Sequence, residues 1–165
     1  MKPTGTECCS KFEPERWNDK TFHWENKHFI KESIPTIFHI PFPKSIGKKV
    51  NKMMVLAEEA DSLSDDKLED LLLFNDPTAF KSDMYLSVAE RIQDAQNIEL
   101  TGTFICKVYE GSYHKVPKFM KQMEDYLRGQ DKRVKDYYIH YAYCPKCSKE
   151  FGHNFMAMFA ELEIR

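Results

Sequence analysis

The sequence predicts an α+β fold: two tandem strand-helix-strand-strand repeats building an antiparallel sheet, with helices on one face and a ligand cleft on the other. Three observations carry this. Two amphipathic stripes have the 3.6-residue period of helices. Strand-like runs flank both stripes in the same order. The whole pattern recurs at a shift of 66 residues, carrying Phe38 to Phe104, Ile40 to Cys106, Val50 to Val116 and Met53 to Phe119.

Residues 1–33 stand outside the repeats. "FEPERWNDKTFHWENKHFIKE" is highly charged yet carries Trp17, Phe22, Trp24, Phe29 and Ile30, too many large apolar groups for a disordered tail. A short turn and a hairpin around Glu25-Asn26-Lys27, docked on the main sheet, is expected. Repeat 1 (34–92) opens with the strand "TIFHIPF". Its helix, in "SIGKKVNKMMVLAEEAD", shows Ile46, Val50, Met53, Met54 and Ala57 on one stripe, with Ser45 as N-cap. An acidic connection, "ADSLSDDKLED", leads to the strands "LLLFND" and "MYLSVAERI". Repeat 2 (98–165) opens with "TGTFICKVYEG". Its helix carries Val116, Phe119, Met120, Met123 and Leu127; Pro117 places its start near 113–116, and Gly129 stops it. The strands "YYIHYAY" and "FMAMFAELE" follow. "FNDP" and "AYCP" occupy matching hairpin corners at a shift of 68. One domain, 1–165, accommodates all of this.

Composition narrows the function classes. The 165 residues are 42% hydrophobic and 30% charged, with 12 Phe, 8 Tyr and 2 Trp, a heavy aromatic load. A formal charge of -2 with scattered Lys and Arg is no nucleic-acid footprint. No apolar run reaches membrane-spanning length, and the N-terminus lacks a secretory signal, so a cytoplasmic protein with reduced thiols is expected. No Gly-rich phosphate loop is present, which speaks against nucleotide-dependent chemistry.

Strand alternation assigns the faces. The apolar sets Met84/Leu86/Val88, Phe104/Cys106/Val108 and Met156/Met158/Ala160/Leu162 are expected beneath the helices. The opposite face then gathers His39, Tyr85, Tyr109, Tyr141, Tyr143, Phe155, Phe159 and Glu161. Aromatic walls with a few polar groups suit a small-molecule cleft. The competing expectation is that the N-terminal aromatics pack there and fill the space. Glu110, at a strand end, and Glu161 are the carboxylates able to position water, against plainer roles as a helix-start charge and a solvated terminal residue. Cys144-Pro-Lys-Cys147 supplies two thiols at metal-ligand spacing, but the adjacent Cys8 and Cys9 splay apart and no second pair or His pair completes a site. No metal and no cofactor are expected.

Together, "CCSKFEPERW", "FHIPFP", "SDMYLSVAE", "LTGTFICKVYEGSY" and "YYIHYAYCPKCSKEFGHNF" resemble the GyrI-like small-molecule-binding domains. They are most similar to a stand-alone subfamily, the cyclopropanoid hydrolases, over about Cys8 to Glu163. The resemblance implies a ligand held between pseudo-symmetric repeats and addition of water to the cyclopropane of yatakemycin- or duocarmycin-type alkylators, within an aromatic cage. Strand alternation, taken with the aromatic cage of that family, makes Glu110, Glu161, Tyr141 and His39 the candidate catalytic residues, with the choice of carboxylate open, and Trp24, Tyr85, Tyr109, Tyr143, Phe155 and Phe159 the candidate ligand-binding residues. The alternative the resemblance leaves open is a non-catalytic binder that sequesters aromatic molecules or modulates a partner protein. One departure stands out. GyrI-like binders of cationic drugs carry Tyr-Glu-x-Tyr before the Pro corner, and here that run is Tyr138-Ile139-His140-Tyr141, without the Glu.

Overall fold

The computed structural model describes residues 11–163. They form two compact units, a central one (Trp24–Thr101) and a terminal one made of residues 11–23 with 102–163. Each places a helix over one face of antiparallel strands.

In the central unit, β1 (Lys20–Ile37) enters at Trp24 and is followed by β2 (Ile40–Pro41), α1 (Pro43–Glu59), β3 (Leu72–Thr78) and β4 (Lys81–Ser87). The strand order is β2-β1-β4-β3. The register pairs Ile30 with Leu86 and Phe74 with Met84. These side chains meet Met53 and Ala57 of α1 in one core. The predicted strand "TIFHIPF" is instead a tight turn: Phe38 and His39 have φ of 47° and 67° between β1 and β2. The 66-residue correspondence therefore holds for the helix, where Met53 and Phe119 are both buried. It fails at the strand, where Phe38 is 71% exposed and Phe104 fully buried. Helix α1 also begins earlier than expected. Phe42 is its N-cap and Pro43 its first residue, a position that suits a fixed φ.

Glu32 lies on the α1 side, between Ile30 and Ile34. Lys52 Nζ approaches it at 2.5 Å and Lys49 Nζ at 3.3 Å. Burial acts to raise its pKa, but the two ammonium groups outweigh that and hold it below the ordinary carboxylate value.

The terminal unit contains a 3-10 turn (Pro14–Arg16), the start of β1, β5 (Asn97–Glu110) from Gly102 onward, α2 (Val116–Arg128), β6 (Val134–Tyr141), α3 (Pro145–Phe151) and β7 (Phe155–Leu162). β7 runs between β6 and β5, antiparallel to both. Phe119, Met123 and Leu127 of α2 pack on Ile105, Ile139, Met156 and Met158. So β7 presents the expected face to the helix, while β5 and β6 present the other one. Ile105, Lys107 and Tyr109 lie beneath α2, and Phe104, Cys106 and Val108 face away. Lys107 is tolerated there because its ammonium rises over the Tyr126 ring, 3.9 Å from the centroid, and reaches Asp19 at 2.9 Å.

The N-terminal segment forms no hairpin at Glu25-Asn26-Lys27; β1 runs straight through as an 18-residue strand. Its approach to β1 roofs the face of the terminal unit that turns away from α2. The Trp17 and Phe22 rings lie 6.0 and 5.9 Å from Phe159, and Phe12 lies 5.6 Å from Phe155. Asn18 Oδ1 accepts the Val108 N–H at 3.0 Å. In this unit the competing expectation, filling by N-terminal aromatics, is the one observed around Phe159.

Candidate functional site

The polar centre of the terminal unit forms where β5 ends and β7 begins. The register sets Glu110 opposite Phe155. Two hydrogen bonds clamp the junction: Gly111 N–H to Asn154 O at 3.1 Å, and Asn154 Nδ2 to Gly111 O at 2.7 Å. A side chain at Gly111 would put a Cβ 3.0 Å from Lys115 Cδ and 3.1 Å from Phe119 Cζ, so glycine keeps the strand end close to α2. On the other side α3 stops at Gly152, whose left-handed φ of 72° turns the chain toward His153. Ser148 Oγ donates to His153 O at 2.8 Å. His153, two residues before Phe155, shares its face and stacks on its ring at 4.9 Å with a 16° interplanar angle. Nδ1 of His153 lies 2.6 Å from Glu110 Oε1. Both side chains are about half exposed, at 52% and 50%. A carboxylate that fixes an imidazole leaves the second ring nitrogen able to exchange a proton with water or ligand.

Tyr143 stands beside this pair. It stacks on Phe151 of α3 at 4.7 Å, and its hydroxyl accepts the Phe12 N–H at 2.8 Å. It is 3% exposed and ties the N-terminal segment down. Phe155 is half-buried.

Four predicted site residues stand elsewhere than expected. Tyr109 stacks on Phe119 at 4.8 Å, beneath α2, and burial together with the charge of Asp19 pushes its pKa up to about 12. Tyr141 is also on the helix side, edge-on to Tyr113 at 5.2 Å. Both errors have one cause: β5 and β6 sit one residue out of the expected alternation, and a single step exchanges the two faces of a strand. Phe159 has the expected orientation but is fully buried under Trp17, which makes it core. His39 is on the β1–β2 turn, exposed, with Nδ1 2.9 Å from Asp76 Oδ2. Glu161 is buried opposite Phe104, with the exposed Lys135 ammonium at 3.5 Å.

In the central unit, Tyr85 faces away from α1 as expected. It pairs across the sheet with Lys31 and Leu73. Phe29 meets it edge-on at 6.4 Å, and Trp24 lies 5.9 Å from Phe29. Asp83, 4% exposed, holds Ser33 Oγ at 2.5 Å and the Lys31 ammonium at 3.4 Å.

Cys144 caps α3 and Cys147 is buried in its first turn, so the expected hairpin corner is a short helix. Cys8 and Cys9 lie outside the described residues. Among the described residues no three His, Cys, Asp or Glu side chains are gathered to hold a metal, and no helix is long and apolar enough to cross a membrane. Burial, with the charge of Asp19, raises the Cys106 thiol pKa far above its ordinary value, so it stays protonated.

His153, Lys27 and Asp83 were missed by sequence reasoning. The available signal for His153 was its place just before the last strand, which sets it beside the partner strand's terminal carboxylate.

No curated protein matches the chain. A solved structure of an uncharacterized conserved protein from Listeria innocua is similar over 89% of this chain and 94% of its own, with TM-score 0.64 and 7% identity. The structure of SAV2435 bound to tetraphenylphosphonium is similar over 87% and 93%, with TM-score 0.53 and 15% identity. At these identities the likeness is one of fold, an α+β arrangement around a large antiparallel sheet. The sequence pattern of a family described as "Bacterial hydrolase" matches residues 1–162, and the chain belongs to that family.

Proposed function

We propose that the chain is a hydrolase that opens the strained cyclopropane of flat, DNA-alkylating xenobiotics by adding water, and so detoxifies them. The observation that carries this is the 2.6 Å Glu110–His153 pair stacked against the half-open Phe155 ring. Phe155 offers an aromatic partner, and a good pair contributes about 0.5–1.5 kcal/mol beyond burial. With Nδ1–H donating to Glu110, Nε2 of His153 takes a proton from water. The water oxygen bonds to the ring methylene, the cyclopropane C–C bond breaks, and its electron pair passes into the dienone, whose oxygen becomes a phenolate. The proton on Nε2 then neutralises that phenolate. Since ring strain supplies much of the driving force, positioning and one proton transfer suffice. Trp24 and Tyr85 are assigned as ligand-binding aromatics of the central unit.

The second reading is a binder that sequesters aromatic molecules without reaction. The Trp24–Phe29–Tyr85 cluster favours it, because no catalytic pair stands among those rings.

Incubation with a duocarmycin-type cyclopropane and mass spectrometry separates the two. Many turnovers to a product heavier by one water support the hydrolase, and stoichiometric unchanged ligand supports the binder. Glu110→Gln and His153→Gln should each slow turnover by about 10²–10⁴-fold, the usual contribution of acid–base catalysis. Full activity in both variants would remove the pair from the mechanism.

A further inference from the structure

The aromatic cluster of the central unit already faces positive charge. Lys27 Nζ stands 5.6 Å from the Trp24 ring centroid and 5.9 Å from that of Phe29, and Lys31 Nζ stands 5.7 Å from Tyr85. The backbone arranges this. Asn26 has a left-handed φ of 51°, held by its N–H to Thr101 Oγ1 at 2.9 Å and by the Thr101 hydroxyl donating to Asn26 Oδ1 at 3.2 Å. That residue resets the strand alternation, and Lys27 comes over Trp24 instead of pointing to the opposite face.

The two ammonium groups are not equivalent. The charge of Lys31 is matched by Asp83 at 3.4 Å. Lys27 forms no ion pair with any carboxylate of the described residues, and Glu69 and Asp70 act on it only at longer range. Burial lowers its pKa, and those two charges pull it partly back. A half-buried cation without a close counter-ion, set over aromatic faces, attracts an anion or a strong acceptor. It also takes the place a cationic ligand would need.

We propose that the half-exposed Trp24 ring, backed by the buried Phe29 and Tyr85 rings, forms a binding surface for a planar aromatic carrying an anionic or strongly accepting oxygen, with Lys27 as the selecting charge, and that lipophilic cations are refused there. This rests on the reading of Trp24 and Tyr85 as ligand-binding residues and deepens it to a ligand class.

The test uses two probes of similar shape and opposite charge, 2-naphthoate and N-methylquinolinium. Calorimetry gives their affinities for the full chain, and the Trp24 indole N–H signal (assigned with Trp17→Phe) gives the location. The naphthoate should bind at least tenfold more tightly and shift the Trp24 signal. Lys27→Met should reduce that preference by roughly 10–100-fold, the range expected for one unit charge at this distance in partly screened surroundings, while Lys27→Arg should keep it. Equal affinities in the natural chain, or an unchanged preference in Lys27→Met, overturn the charge selection. An unmoved Trp24 signal with both probes overturns the surface itself. Neither probe has a ring to open, so these results stand apart from the turnover measurements on Glu110 and His153.

Discussion

In the terminal unit the face turned away from the helix is roofed by the chain's own rings, with Trp17 and Phe22 lying on Phe159. In the central unit the corresponding face carries two ammonium groups over its aromatics and a buried Asp83. Both units spend one face of their strands on a helix, by the same apolar packing. They differ in what they do with the other. The repeat fixes the scaffold and leaves the second face free to diverge: one is aromatic core with a polar pair at its rim, the other buries Phe29 and Tyr85 beside two ammonium groups and a carboxylate.

The contrast is broken most severely at the roof. Trp17→Ala removes a ring that is 5% exposed and leaves Phe159 uncovered, and it should cost about 3–5 kcal/mol in urea unfolding. Trp24→Ala, at a half-exposed position, should cost far less. Equal losses would mean that both rings are core and that the central surface is not a binding surface.

A smaller effect sharpens the central unit. Asn26→Val forces a β-branched residue into a left-handed conformation and should cost about 1–2 kcal/mol, whereas Asn26→Gly should be nearly silent in stability. An Asn26→Val chain with full stability would show that the backbone there relaxes to ordinary strand geometry, which would carry Lys27 off Trp24.

The smallest effect is one of pH. Glu32, held by Lys49 and Lys52, has a pKa lowered in the folded state. Its contribution is complete above the ordinary carboxylate value and is lost as the pH falls below that value, through the lowered one. Amide exchange in α1 should therefore speed up on acidification relative to α2, which has no such tie to its strands. Glu32→Gln should abolish the difference, and identical acid responses of the two helices would contradict it.

Much of this architecture was legible in the sequence where periodicity is long. Both main helices lie within three residues of the expected places, since a 13- to 17-residue stripe fixes a face by many votes. Strand faces are decided by parity alone. β7 presents the expected face, with Met156, Met158 and Ala160 beneath α2. In β5 both alternating sets contain apolar residues, and Lys107 fits a polar cleft face by residue type although its ammonium lies over Tyr126 beneath α2. In β6 Tyr137, Ile139 and Tyr141 alternate with Tyr138 and His140, so hydrophobicity does not choose a face. Of the residues proposed for the site, Glu110, Phe155, Tyr85 and Trp24 stand out in the sequence by residue type. His153 and Lys27 depend on backbone features, the Gly152 turn and the left-handed Asn26, that set no hydrophobic pattern.

The hydrogen bond from the Phe12 amide to the Tyr143 hydroxyl bears on how the protein can be handled. Trimming to about position 20 is an ordinary way to tidy an expression product, and here it would take away Phe12 and Trp17, both buried. Such trimming would remove interior material. The shortened chain would expose Phe159 and Phe155 together, and self-association, rather than a cleaner preparation, is the outcome to anticipate.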